Sequence, residues 1–357
     1  MIRINILSGA QKNPFFAQWD KNRFPEMEYY IRENSVEDII WDVVVVYENV
    51  QSPQKFKCKT GHLIYVAGEP PMMRPLPNTF LNQFDEVIIP NINSKHPHKL
   101  LSHGFLNWSL GVNFKTKDHR YNFAQLRDLN TVKTKNISIV TSNKRMMPGH
   151  NKRMKILERL RKDFPGQIDF YGSGHNYVEY KADALIPYRF HICMENSTIP
   201  YYWTEKFSDP ILANCIPIYL GCTNISDYFD KRGYATFSCD DYIALKSLVL
   251  NILESPEQLY QKYYPYMRDN RERLMNKENL IPFIIERYTT NSVAASDTIY
   301  TVKGLTNFKS YHYMFYIIRI KRLLYKLFFM YLKLYCIFQK ISTIFFSFRC
   351  TFFADSL

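Results

Sequence analysis

Hydrophobic positions in the first half of the chain fall into short, nearly continuous runs. Four of them, residues 2–7, 39–47, 63–67 and 86–90, are rich in β-branched side chains and predict buried strands. Runs that are apolar on both faces are typical of parallel strands covered on both sides of the sheet. The intervening segments are long enough for crossover helices, although several have an irregular polarity.

A second series of runs follows a connector of mixed polarity at residues 111–135. Strand-like and helical patterns alternate in it, and further helical segments from about 240 to 288 follow it. The alternating segments are 137–143 (strand), 151–164 (helix), 168–172 (strand), 189–194 (strand), 203–214 (helix) and 216–220 (strand). This alternation predicts a doubly wound α/β domain.

Two consecutive α/β series predict two domains with a ligand cleft, since 357 residues are enough for two separate cores. We expect an N-terminal domain at 1–130, a second domain at 136–300 and a tail at 310–357. In open parallel sheets, ligands bind beyond the carboxyl ends of the strands and near helix N-termini. Polar residues that follow a predicted strand are therefore the first candidates for a site.

One such polar stretch, residues 195–206, leads from a strand into the helix at 203–214. In a purely structural interpretation, Thr204 caps the helix and Glu205 favours its dipole. Lys206 fits that interpretation poorly, because a cation is electrostatically misplaced in the first turn. A lysine beside free backbone N–H groups is suited to a diphosphate, and Glu205 could accept hydrogen bonds from ribose hydroxyls.

Other polar residues after strands have equally simple structural explanations. The segment at 194–197 has the composition of a turn, and Arg153 could belong to a solvated helix face. The histidines do not indicate a metal site: His96 and His98 flank a proline, without helical spacing or a paired cysteine.

Several ordered motifs of the second half resemble glycosyltransferase family 10, the α-1,3/1,4-fucosyltransferases, especially its bacterial members. The resemblance covers about residues 137–235. In chain order, its motifs are residues 140–143 with Arg153, residues 169–172, Phe190, and residues 194–197, 202–206 and 216–221. Met194 stands where the family usually has Phe, and Trp203 where a small or β-branched residue is common.

The resemblance implies a GT-B architecture, in which two Rossmann-like domains face each other across a cleft. It implies inverting transfer from GDP-fucose as donor substrate, with neither a metal ion nor another cofactor. Arg153 and Lys206 would neutralise the diphosphate, and Glu205 would bind the ribose. Fixed cations and helix dipoles suit this chemistry, because they stabilise the departing GDP.

The same resemblance assigns the remaining donor and acceptor residues. Asn196 and Tyr202 would line the donor pocket, with Glu195 beside them. In the first half, residues 64–77 resemble the family's acceptor-side loop, and Glu69 matches its catalytic base. That carboxylate would remove the proton of the attacking hydroxyl. The alternative is that Glu69 only forms a turn before two prolines.

The expected function is therefore transfer of fucose to O3 or O4 of GlcNAc in a cell-surface glycan such as lipopolysaccharide O-antigen. Two alternatives stay open. The same fold could use another sugar nucleotide, or the protein could be a membrane-bound glycan- or nucleotide-binding protein without turnover.

The charge of the chain indicates an anionic partner. Its 46 Lys and Arg residues exceed 33 Asp and Glu residues, which gives a formal net charge of +13. No recognisable nucleic-acid-binding module accompanies this charge, so we expect no nucleic acid among the partners. From residue 310 onward, seven basic residues stand against one Asp.

The tail combines these basic residues with apolar ones at helical spacing. Arg319, Lys326, Lys333 and Lys340 recur every seven residues beside an apolar face. The pattern at 311–350 predicts an amphipathic helix on an anionic membrane surface. A coiled-coil helix of a homodimer is the alternative, because the seven-residue recurrence also fits it.

Cysteine usage and the N-terminus predict the compartment. The seven cysteines are dispersed without a close pair, which is typical of reduced thiols. The first apolar run is too short for a secretory signal, and no run is long enough for a spanning helix. We expect a cytoplasmic protein, peripheral on the inner face of the membrane.

Overall fold

A computed structural model describes residues 1–9, 15–31, 39–141, 148–289, 296–325, 327–328 and 330–331. Residues 142–143 of the first resemblance motif and the tail from residue 332 lie outside these ranges. The chain divides into two compact units, Met1–Asn307 and Phe308–Leu357.

The first half of the chain forms a parallel sheet. Its elements are β1 (Ile2–Ser8), β2 (Met27–Ile31), β3 (Ile40–Trp41), β4 (Val43–Tyr47), β5 (Gln54–Lys59), β6 (Leu63–Val66), α1 (Asn78–Leu81), β7 (Glu86–Ile89), β8 (Lys99–Leu101) and α2 (Phe123–Arg127). Six strands pair in the order β2-β1-β4-β6-β7-β8, and all neighbours are parallel. The strands predicted at 2–7, 63–67 and 86–90 are confirmed, whereas β2 and β8 lack the long apolar runs that would have predicted them.

The run predicted as one strand at 39–47 is two strands, so that prediction is corrected. The break falls at Asp42, whose side chain accepts a hydrogen bond from the Arg3 main-chain N–H at 2.7 Å and lies 2.6 Å from Lys59 Nζ. Beyond the break, β4 is buried throughout and joins the six-stranded sheet. Before it, β3 pairs with β5 in a separate sheet.

The second half of the chain forms a five-stranded parallel sheet with helices. Its elements are β9 (Lys135–Val140), α3 (Pro148–Asp163), β10 (Asp169–Tyr171), β11 (Tyr188–Met194), α4 (Glu205–Leu212), β12 (Ile216–Leu220), β13 (Ala235–Thr236), α5 (Tyr242–Glu254), α6 (Pro256–Asn276), α7 (Leu280–Tyr288) and β14 (Asp297–Val302). The strand order is β10-β9-β11-β12-β13. The predicted alternation of strands and helices is confirmed, and with the first sheet it gives an α/β fold built on two parallel sheets.

Each sheet has its own hydrophobic core, but the chain returns to the first core near its end. Leu280, Ile281 and Ile284 of α7 pack with Ile4, Val45 and other residues of the first sheet. β14 then pairs antiparallel with β5 in a three-stranded sheet, β14-β5-β3. The sequence-based division assigns residues 136–300 to one domain, whereas these contacts tie its last part to the first half.

The second compact unit begins with a helix, to which the described residues from 309 to 331 belong. Among the helices that the structure describes, none is long and apolar enough to cross a membrane.

Candidate active site

A polar segment occupies the carboxyl edge of the second sheet. Glu195 follows the last residue of β11, and its main-chain N–H donates to the carbonyl oxygen of Leu220, at the end of β12, over 2.8 Å. The segment ends at α4, which begins at Glu205. It therefore lies where parallel α/β sheets bind their ligands.

Thr204 is the N-cap of α4, as the structural interpretation of the sequence predicted. Its Oγ1 accepts a hydrogen bond from the Lys206 main-chain N–H at 3.2 Å. The same hydroxyl donates to both carboxylate oxygens of Glu195 at 2.9 Å. The N-cap residue therefore also links the start of α4 to the end of β11. The hydrogen bonds that cap the helix are part of the candidate site.

Glu195 is a buried carboxylate that organises this segment. It is 5% exposed and accepts a further hydrogen bond from the Thr204 main-chain N–H at 2.8 Å. Lys206 Nζ lies 3.6 Å from its Oε2. Burial raises the pKa of Glu195, and the Lys206 ammonium and Thr204 oppose that rise. Through these contacts, Glu195 holds Thr204 and Lys206 in place.

Lys206 and Glu205 form an ion pair at the first turn of α4. Lys206 Nζ donates to Glu205 Oε1 at 3.0 Å, and about a quarter of each side chain is exposed. Burial alone would lower the pKa of Lys206, but Glu205 and Glu195 raise it, so the ammonium stays charged. Burial would raise the pKa of Glu205, yet Lys206 and Lys181 bring it down to about 2. Both groups are ionised at neutral pH.

Arg153 brings a second cation to the same edge. It lies on α3, is 6% exposed, and donates from Nη1 to Asn196 Oδ1 at 3.3 Å. Burial lowers its pKa and the Glu195 carboxylate opposes that change. The structure thus brings Arg153 together with the segment that the sequence had singled out separately.

Residues 202–203 close this segment against other parts of the chain. Tyr202 is 2% exposed; burial raises its pKa, followed by the charges of Glu195, Glu69 and others. The Trp203 ring stacks on His103 with centroids 4.0 Å apart and an interplanar angle of 24°. Trp203, the departure from the family pattern, therefore packs against a residue just beyond β8 of the first sheet.

Glu69, in the loop after β6 of the first sheet, acts electrostatically on this segment. It follows β6 and is half-buried. Its charge contributes to the raised pKa values of both Tyr202 and Lys206. The predicted base and the predicted donor residues are therefore within electrostatic reach of one another, although they are more than a hundred positions apart in the sequence.

The sequence interpretation missed Glu48, which directly follows β4. Its carboxylate accepts hydrogen bonds from the Gly68 main-chain N–H and from Arg74. Burial raises the pKa of Glu48, against the influence of Arg74. The signal was available, since Glu48 is a polar residue at the carboxyl end of a predicted strand beside the strand that leads to Glu69.

The sequence interpretation also missed a buried ion pair between Lys181 and Asp209 of α4. Lys181 Nζ donates to Asp209 Oδ2 at 2.7 Å and to the Glu205 carbonyl oxygen at 3.2 Å. Asp209 Oδ1 accepts from the main-chain N–H of Ser109 in the segment that leads out of the first half. No local pattern marks this pair, because its members are 28 positions apart and only the tertiary fold brings them together.

Within the described ranges, no three His, Cys, Asp or Glu side chains are grouped so that they could hold a metal ion. His96, one of the histidines weighed above, uses its ring nitrogens locally. Nε2 is 3.1 Å from the Phe84 carbonyl oxygen, and Nδ1 accepts from the His98 main-chain N–H at 3.2 Å.

Residues 130–308, half of the chain, match the sequence profile described as "Glycosyltransferase family 10 (fucosyltransferase) C-term". The chain belongs to glycosyltransferase family 10. The matched segment contains all six predicted donor residues, from Arg153 to Lys206, whereas Glu69 precedes it.

Curated proteins of two organisms match parts of the chain. Alpha-(1,3)-fucosyltransferase B of Drosophila melanogaster is 34% identical over 133 residues, which are 37% of this chain and 28% of that protein. A fucosyltransferase-like protein of Arabidopsis thaliana is 36% identical over 81 residues, or 22% of this chain and 16% of that protein. The chain thus matches less than a third of the length of either relative.

Solved structures similar to this family 10 chain include an α1,3-fucosyltransferase with GDP-fucose. It has 17% sequence identity and a TM-score of 0.46, covering 89% of this chain and 91% of that one. TarM has 11% identity and a TM-score of 0.35, covering 58% of this chain and 42% of that one.

Proposed function

We propose that this protein transfers fucose from GDP-fucose to a hydroxyl group of a glycan, with inversion at the anomeric carbon and without a metal ion. The observation that carries the proposal is the cluster of Glu195, Glu205 and Lys206 at the carboxyl edge of the second sheet, within electrostatic reach of Glu69. Membership of a fucosyltransferase family supports fucose as the transferred sugar.

In the proposed reaction, Glu69 accepts the proton of the acceptor hydroxyl as its oxygen attacks the anomeric carbon. The bond between that carbon and the diphosphate oxygen breaks, and GDP leaves with the bonding electron pair. Lys206 and Arg153 are the cations nearest to the departing charge in this scheme. Preorganised cations and helix N–H groups stabilise such charge without reorganising during the reaction.

The remaining residues hold the donor in this scheme. Glu205, ionised at neutral pH, accepts hydrogen bonds from the ribose hydroxyls. Asn196 and Tyr202 line the donor pocket. Glu195 acts from behind them: its bonds to Thr204 and its proximity to Lys206 support a positioning role.

For the acceptor we propose O3 or O4 of GlcNAc in a cell-surface glycan such as lipopolysaccharide O-antigen. Similarity to an α-(1,3)-fucosyltransferase of Drosophila supports the linkage. The same cluster would also serve another sugar nucleotide, or a protein that binds the nucleotide without turnover.

Donor identity is tested by calorimetry with GDP-fucose, GDP-mannose and UDP-sugars on the full chain. We expect GDP-fucose to bind most tightly. We also expect fucose transfer to a GlcNAc-containing oligosaccharide to proceed at the same rate with and without EDTA. Mass spectrometry of the product identifies the added sugar.

Each alternative has its own result in this experiment. Tighter binding of another sugar nucleotide would show that its sugar, and not fucose, is the one transferred. Tight GDP binding with no transfer to any glycan acceptor would support the binding protein without turnover. Loss of transfer in EDTA, restored by a divalent cation, would contradict the metal-independent mechanism.

We further propose that the tail, 311–350, holds the protein on the inner face of an anionic membrane. Arg319, Lys321 and Arg322 supply the basic side chains in its described part. Large apolar side chains are exposed along the same helix: Tyr313, Tyr316, Ile320, Leu323, Leu324, Leu327, Phe328 and Tyr331. On such a helix, basic side chains can contact lipid headgroups while the neighbouring apolar side chains enter the acyl region.

Vesicle flotation tests the tail. We expect the full chain to float with vesicles that contain anionic phospholipid, and a chain truncated after Asn307 to stay at the bottom. The variant with Arg319, Lys321 and Arg322 all changed to Gln keeps the apolar side chains. It is expected to bind more weakly and with less dependence on salt.

Flotation of the truncated chain to the same extent as the full chain would contradict the membrane proposal. If neither floats, sedimentation of both chains examines the other interpretation. A dimer that dissociates on truncation would then favour a partner helix.

A further inference from the structure

The loop after β8, residues 102–105, joins the two halves of the protein through His103. This histidine is fully buried, and its ring stacks on that of Trp203 with centroids 4.0 Å apart. Its Nε2 lies 3.2 Å from Oε2 of Glu278, which stands between α6 and α7. A side chain of the first half is thus held by two residues of the second, one of them next to the N-cap of α4.

The other ring nitrogen of His103 fixes an uncommon turn in the same loop. Nδ1 accepts a hydrogen bond from the Phe105 main-chain N–H at 3.1 Å. Burial lowers the pKa of His103, and the neutral imidazole accepts at Nδ1 while it donates from Nε2. Phe105 has a φ of 46°, in the left-handed region that bulky residues rarely adopt. Such strain persists only where neighbouring groups enforce it, and it is concentrated at functional sites.

Gly104, inside this turn, packs directly against the loop that carries Glu69. A Cβ atom built on Gly104 would lie 2.3 Å from the Gly68 Cα and 2.4 Å from the Ala67 carbonyl oxygen. Only glycine permits so close an approach of two main chains. Gly68 directly precedes Glu69, so a displacement of Gly104 also displaces the proposed base.

The donor segment has its own support within the second half. Thr204 and Lys206 are held by Glu195, through hydrogen bonds to Thr204 and the nearby charge of Lys206. The loop at 102–105 is in contact with both the second half and the main chain before Glu69. A general base must lie within hydrogen-bond reach of its substrate, and a misplacement of about 1 Å lowers a rate by about 10²-fold.

We propose that His103 and Gly104 are positioning residues, which seat the loop at 102–105 on Trp203 and Glu278 and thereby set the place of Glu69 relative to the donor site. This inference rests on the proposed function for the role of Glu69. It assigns the alignment of base and donor to direct packing between the two halves of the protein.

His103→Asn tests the contact of the loop with the second half. Asparagine keeps an oxygen that accepts from the Phe105 N–H, but it lacks the ring on Trp203 and the donor to Glu278. We expect kcat for fucose transfer to fall about 10²-fold and the GDP-fucose dissociation constant, measured by calorimetry, to stay the same. Hydrogen–deuterium exchange of the segment 66–69 should become faster, since the loop packed against it is released.

Gly104→Ala tests the contact of the loop with the main chain before Glu69. The added methyl group collides with Ala67 and Gly68, while the side chains of His103 and Trp203 are unaltered. We expect the same division between the two quantities, with a lower kcat and an unchanged GDP-fucose dissociation constant.

Gly233→Ala is the matched control. A Cβ atom there would lie 2.7 Å from the main-chain nitrogen of Met267, within the second half. This collision is expected to lower the melting temperature. It should change neither kcat, measured well below that temperature, nor the exchange of the segment 66–69.

Unaltered kcat in both His103→Asn and Gly104→Ala would overturn the proposal, even with lower melting temperatures, because the two residues would then serve the fold alone. A rise in the GDP-fucose dissociation constant as large as the fall in kcat would also overturn it, since the donor segment would have moved.

Failure of the unaltered protein to transfer fucose would contradict the proposed function. Hydrogen exchange then decides whether His103 holds the Glu69 loop. Faster exchange at 66–69 in His103→Asn would support that contact, and exchange equal to that of the unaltered protein would overturn it.

Discussion

Glu69→Gln is expected to lower kcat for fucose transfer by about 10²–10⁴-fold, the contribution typical of a positioned general base. Glutamine keeps the shape of the side chain but accepts no proton. The GDP dissociation constant should stay the same, because the residues proposed to hold the diphosphate and the ribose belong to the second half. Initial rates with GDP-fucose and a GlcNAc-containing oligosaccharide, together with GDP calorimetry, measure both quantities.

Glu48 is the competing carboxylate, and Glu48→Gln provides the comparison. Its oxygens already accept hydrogen bonds from the Gly68 N–H and from Arg74, which leaves them poorly suited to take a proton from a substrate. We expect a smaller fall in kcat for Glu48→Gln than for Glu69→Gln. The reverse order would assign the base to Glu48.

Glu26→Gln controls for the loss of a carboxylate as such, because Glu26 is exposed on the surface of the first half. Its kcat is expected to equal that of the unaltered protein. If Glu69→Gln retains full activity as well, Glu69 is only a turn residue before its two prolines.

Lys206→Met is expected to lower kcat/KM by about 10²–10³-fold. This is the effect typical of removing one preorganised group that stabilises negative charge developing in the transition state. Methionine has a similar length but no charge. The GDP dissociation constant should rise as well, since the lysine would pair with the diphosphate of bound GDP and also with the diphosphate that departs in the reaction. The variant also leaves Glu195 buried beside an uncharged side chain, so its melting temperature should fall.

Lys246→Met is the matched control for this substitution. Lys246 pairs with Asp163 at 3.0 Å on the surface, with 44% of its side chain exposed. Exposed pairs contribute little to stability, and we expect neither kcat/KM nor GDP affinity to change. An unaltered GDP dissociation constant in Lys206→Met would show that the lysine serves only its ion pairs with Glu195 and Glu205.

Much of the fold could be predicted from local pattern. The Val43–Tyr47 run is continuous and rich in β-branched side chains, so its residue types alone predict a strand that is buried on both faces. Asp42, in contrast, breaks a run that looks uniform. Its effect depends on Arg3 and Lys59, which reach it from other strands, and a pattern along the chain does not contain those neighbours.

The residues of the candidate site also fall into those that the sequence could predict and those that it could not. Glu205 and Lys206 could be selected from sequence because a helix start after a strand is a local feature with a known electrostatic preference. Lys181 could not, because its partner Asp209 lies 28 positions away and meets it only in the folded core. The Trp203 departure became understandable only when His103 was found stacked against it.

The sequence by itself determined the two α/β series, the order of the donor motifs and the family, since each is carried by neighbouring residues. Tertiary structure alone decided that α7 and β14 return to the first half, that Glu48 holds the loop of Glu69, and that Gly104 packs against this loop. The physical reason is range. Propensity and periodicity act over a few residues, whereas burial, hydrogen-bond partnership and electrostatic coupling depend on which distant segments the sheets bring together.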